Sequence, residues 1–181
     1  MIFFFILAFV SFVSLIVEEF IPPLAWLGGA HLYIVPVIMF YGAMALPYPG
    51  MLGLAFISGL MVDLAENTHV VDSQVEISLG WSILVYAALG AIMSGFRPLF
   101  HRGRWEIHCL LSGLFTSLIL LAQYLMITVR RGGFVYTPDI GWRIAGSGVA
   151  AALIAPFYFF VLNWVASLVG YDVNPEKKGI V

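Results

Sequence analysis

The 181-residue chain is 62% hydrophobic and only 10% charged, with a mean hydropathy of +1.01 and a formal net charge of −2. A soluble domain is about half apolar and a quarter charged, so this balance excludes a soluble globule and predicts an integral membrane protein. With no basic stripe interleaved with aromatics, nothing points to nucleic acid as a partner.

Between Asp, Glu, Lys and Arg the chain leaves uncharged runs at 1–17, 20–62, 77–96, 107–129 and 144–171. One membrane span takes about 20 apolar residues, so the run at 20–62 holds two spans and each of the others one. The expectation is an all-α membrane protein, a six-transmembrane-helix bundle, with residues 1–170 as one domain and 171–181 as a polar cytoplasmic tail.

Residues 2–17 read as a retained first helix, rich in Phe and almost free of small side chains, which suits a face toward lipid; Glu18 and Glu19 stop it. No basic n-region or cleavage site marks a signal peptide. Pro22, Pro23, Gly28 and Gly29 then break the chain into a connection, with Trp26 at headgroup depth. The second helix is expected at 32–46, with Pro36 in its first turns, where a missing N–H matters least. Residues 46–50 carry Pro47 and Pro49 and form a tight hairpin into the third helix.

That third helix, from Gly50 to Glu66, is the stretch around which the rest is expected to pack. Gly53 opens it, and Ala55, Gly59 and Asp63 fall four residues apart along one stripe. A carboxylate at mid-bilayer costs about 2.5–3.5 kcal/mol on insertion scales, so Asp63 should face protein or trapped water, in a structural role or in contact with a partner or ligand. An acidic segment follows with Glu66, His69, Asp72 and Glu76. The fourth helix, at 77–96, carries a ladder of Ala87, Ala91 and Gly95, with Gly90 and Ser94 beside it, the small-residue pattern of close helix contact. Arg97, Arg102 and Arg104 form a basic connection to a fifth helix at 105–129, ended by Arg130 and Arg131. The sixth helix, at 144–169, opens on Gly146, Ser147 and Gly148, and Pro156 should kink it.

Five Lys and Arg fall on the side of the termini (Arg97, Arg102, Arg104, Lys177, Lys178) and three on the other (Arg130, Arg131, Arg143). By the positive-inside rule both termini are expected in the cytoplasm. The basic connection is then a topology determinant, a docking point or a clamp on anionic lipid.

No serine has a histidine at a useful spacing and no pair of acids stands ready for acid–base work, so no catalytic residue is assigned. His101 and His108 with Glu106, and His69 with Asp72 and Glu76, lack metal-ligand spacing; no metal or cofactor is expected. Cys109 reads as a small apolar filler.

Taken together, Pro36, then Gly53, Gly59-Leu60 and Asp63, then Leu79-Gly80 and Gly90, resemble the pattern of the rod shape-determining MreD family. The stretches RPLFHRGRWEIHCLLSGL and LLAQYLMITVRRGG, between Arg97 and Gly133, are similar to it as well. The likeness covers residues 30–135; the connection from Asp63 to Gly80 is longer than usual there. It implies a non-enzymatic component of the bacterial inner membrane that meets MreC and, through it, MreB, RodA and the penicillin-binding transpeptidase. An alternative of similar size is the substrate-binding subunit of an energy-coupling-factor vitamin transporter. Against it, Phe3, Phe4, Phe5, Phe9 and Phe12 crowd the first helix, where such subunits offer their membrane partner an alanine pair.

Overall fold

The computed structural model describes residues 2–68, 80–95, 97, 105–133 and 137–171. Six α-helices run in chain order: α1 Ile2–Phe20, α2 Val35–Ala45, α3 Tyr48–Thr68, α4 Trp81–Gly95, α5 Trp105–Arg131 and α6 Pro138–Leu168. The described residues are otherwise turns and short connections, with no strand. Between α1 and α2 a single 3₁₀ turn, Ala25–Leu27, is closed by a bridge from Leu24 to Ala30.

The all-helical expectation holds, and four helices are long and apolar enough to cross a membrane: α1, α3, α5 and α6. Six full spans are not shown: α2, with 11 residues, rises only about 16 Å against a hydrocarbon core of about 30 Å, and the described part of α4 covers 15 residues. A charge-free run limits a helix from above only, and here the Pro and Gly of residues 21–34 keep that segment out of α-helix. At the other end of the chain α6 begins at Pro138, six residues before the expected start. Thr137 in extended conformation, Pro138 in the first turn and Asp139 behind it are a helix start, since proline has no N–H to leave unpaired there and an acid suits the N-terminal dipole.

The helix at the centre is α2. Every residue from 34 to 46 is buried, and α2 alone packs against all five others. Around it the order is α1, α3, α4, α5, α6, each in backbone contact with the next. From α6 back to α1 the circle closes through side chains: Tyr158 hydrogen-bonds Ser14, and Tyr171, just past α6, stacks on Phe3 at 4.5 Å. The outer shell accounts for α1, whose Phe5, Phe9 and Phe12 point out while Phe3, Leu7, Ser11 and Ser14 point in. Phe40 of α2 packs edge-on to Phe115 of α5 and stacks with Phe159 of α6. Tyr41 donates to Asn163 Oδ1 at 2.8 Å.

Candidate functional site

Successive helices run in opposite directions, so Glu18, Asp63, Gly80 and the start of α6 gather at one end of the bundle. The 46–48 turn, Arg97 and Tyr171 gather at the other.

The closest backbone approach on the predicted stripe is at Gly59. A Cβ there would lie 2.6 Å from the Cα and N of Ile83 and 2.9 Å from the carbonyl carbon of Ser82, so α3 and α4 meet with no side chain between them. One turn on, Asp63 is fully buried. Its carboxylate accepts the N–H of Gly80 at 2.6 Å and that of Ser82 at 3.2 Å. The first N–H groups of a helix have no partner within it, and an anion also complements the positive end of the dipole; Asp63 is thus the cap of α4, supplied from the neighbouring helix. Gly80 reaches it with φ +96°, a backbone region closed to most side chains. Of the two roles open to Asp63, the structure displays the structural one.

The remaining stripe residues divide. A Cβ on Gly53 would lie 3.2 Å from the ring of Phe4 of α1, and Ala55 is fully buried. A Cβ on Gly90 would lie 2.8 Å from Met51 Sδ and 2.9 Å from Met39 Cε. Ala87 and Ala91 are half-buried against the core. Gly95 does not belong with them: it is exposed, and a Cβ there meets no described atom within 4 Å. Pro36 is buried in the first turn of α2. A tighter crossing lies elsewhere, between α5 and α6, where a Cβ on Gly113 would stand 2.5 Å from the carbonyl oxygen of Gly148. A lone glycine in an apolar helix carries no pattern, so Gly113 had no signal in the sequence beyond its own size.

Two charged residues, Glu18, expected as a helix stop, and Arg97, expected in the basic connection, hold the ends of α2. Glu18 Oε1 accepts the N–H of Val35 at 2.7 Å and also that of Ile34, which caps the N-terminus of α2. Arg97 is not presented as part of a solvated basic loop. Its Nη2 donates to the carbonyl of Ala43 at 2.6 Å and to that of Leu46, while the Tyr171 hydroxyl donates to Ala45 at 2.9 Å. Cations suit the C-terminal end of a helix. Burial lowers the pKa of Arg97 and raises that of Tyr171, and each partly offsets the shift of the other. Arg102, Arg104, His69, His101, Asp72, Glu76 and the tail lysines lie outside the described residues.

Beside the N-terminus of α2 a cleft of about 90 Å³ opens. Glu18, Glu19, Tyr33, Tyr86 and Gln123 supply its polar groups, and side chains such as Val62 and Ile119 its apolar wall.

An all-helical bundle with four membrane-length helices and charged groups turned inward onto helix ends is the class this fold defines, compatible with a multi-pass membrane protein. In comparison with known proteins the chain matches no family model, no curated protein and no solved structure.

Proposed function

We propose that this chain is a non-enzymatic, MreD-like scaffold of the bacterial cell-elongation complex, set in the inner membrane with both termini in the cytoplasm. In this reading it supports lateral peptidoglycan synthesis through MreC and, with it, MreB, RodA and the penicillin-binding transpeptidase. The observation that carries the reading is the use of the internal charges. Glu18, Asp63 and Arg97 each hold a helix end, which is the chemistry of a fixed body that other proteins grip. The ordered run of Pro36, Gly53, Gly59, Asp63, Gly80 and Gly90 supports the family likeness, and five of these sit at close contacts or caps.

The vitamin-binding alternative calls for a ligand-sized site, ordinarily 300–1,000 Å³. Purification of the tagged protein from its native host in mild detergent, followed by mass spectrometry, separates the two. Recovery of MreC with wall synthases is the expected result; recovery of a transporter ATPase in their place overturns the proposal.

A further inference from the structure

Two carboxamides fall inside the charge-free runs, Gln123 and Asn163, and the bundle treats them differently. Gln123 is buried, with its Nε2 donating to Ser82 Oγ at 3.5 Å. Asn163 sits on the exposed face of α6. Its Oδ1 accepts from the buried Tyr41 of α2, and among the described residues Asn163 makes no other hydrogen bond. A carboxamide carries two N–H donors and an oxygen with two lone pairs, so both donors and one lone pair are unused. The ring of Tyr41 is itself held against Phe3 and Phe159, which fixes the amide it grips.

Depth makes this amide costly. The run 144–171 has no charged residue, and any stretch of about 20 residues taken from it to cross the hydrocarbon layer includes residue 163. Among lipid tails an N–H loses its bonds to water and finds no acceptor; the remedy open to a membrane helix is a hydrogen bond to another helix. The hydroxyl of Ser167, one turn away, is already given to the carbonyl of Trp164.

We infer that Asn163 joins two copies of this chain, each amide donating an N–H to Oδ1 of the other across a two-fold axis along the membrane normal. Copies inserted by the same rule share orientation and depth, so the axis sets Asn163 opposite its own counterpart. The groups are complementary, because Tyr41 leaves each oxygen a lone pair for the incoming donor. A two-fold contact joins one patch to itself, and the exposed Phe160 and Trp164 border the amide on its apolar side. The inference needs only a membrane-embedded bundle, so it and the scaffold reading fail separately.

The test is self-association of the full-length protein in proteoliposomes, read as energy transfer between donor- and acceptor-labelled copies on lipid dilution. The parent should associate, and Asn163→Leu should weaken the association about ten-fold, as two interhelical hydrogen bonds of ordinary membrane strength require. Tyr41→Phe removes the same internal hydrogen bond and keeps the amide, so it should associate like the parent. With Cys109 replaced by alanine, Ser167→Cys should give a disulfide-linked dimer on oxidation in native membranes. Ile92→Cys, exposed near the end of α4, should not. This second reading does not depend on the Asn163 variant folding. A parent that stays monomeric, undiminished association in Asn163→Leu, its loss in Tyr41→Phe, or a Ser167→Cys disulfide to a different protein in place of a second copy overturns the proposal.

Discussion

At the scale of single residues, three charged side chains, Glu18, Asp63 and Arg97, each answer a backbone need. A buried N–H or C=O left without a partner costs about 1–3 kcal/mol, and a membrane offers no water to fill the place. Asp63→Leu should therefore lower unfolding stability in detergent by about 1–3 kcal/mol, whereas Asp63→Asn, which keeps an acceptor for Gly80 and Ser82, should lose much less. Equal losses in the two variants would show that the charge matters more than the cap. For Arg97, whose Nη2 bridges the carbonyls of Ala43 and Leu46, Arg97→Leu should cost a similar amount; Arg97→Lys, a cationic donor of different reach and shape, should recover part of it. Asp63 pointing inward was readable in advance, because an acid inside an apolar run has nowhere else to go. Glu18 and Arg97 were not. Each lies at the edge of a charge-free run, Glu18 explained as a helix stop and Arg97 as part of a basic connection, and their partners stand 16 to 54 residues away, beyond the reach of any local pattern.

At the scale of elements, the decisive feature is how near two backbones come. The Gly59 contact with Ile83 leaves no room for a methyl group, and overpacking of this kind costs about 1–3 kcal/mol. Gly59→Ala should lose stability in that range and Gly59→Leu more, with loss of membrane levels. Gly95→Ala, with no described atom in reach, should stay within about 0.5 kcal/mol of the parent. A four-residue spacing identified Gly59 and Asp63 because both fall on the face that α4 meets. Gly95 lies off the inward face of α4, which carries Ser82, Val85, Tyr86, Gly90 and Met93. The central position of α2 had no signature either. In a membrane a helix facing lipid and one facing protein are equally apolar, so hydropathy finds helices and leaves their order around the bundle open. Helix ends were better marked where Pro and Gly act directly, as at the 46–48 turn, and less so at Thr137, whose cap signal sits in what reads as a polar connection.

For the molecule as a whole, chain direction and charge distribution fix one further expectation. If the Arg97 end faces the cytoplasm, a fluorescent reporter fused after Val181 will glow, and an alkaline phosphatase at the same place will be inactive. The opposite pattern would invert the bundle and place the Glu18 cleft inside the cell. The charge difference behind this orientation is five against three, small enough that adding two lysines between Pro22 and Pro23 is expected to yield a mixed population.

The ends of α2 also bear on how the protein is made. The ribosome completes residues 35–46 well before Arg97 and longer still before Tyr171, so the last carbonyls of this helix wait for donors that have yet to be translated. A nascent α2 must linger beside the insertion machinery or at the water boundary and take its central seat only when synthesis is nearly done. Chains stopped short of residue 97 are accordingly expected to be cleared by quality-control proteases faster than those that end just after residue 171.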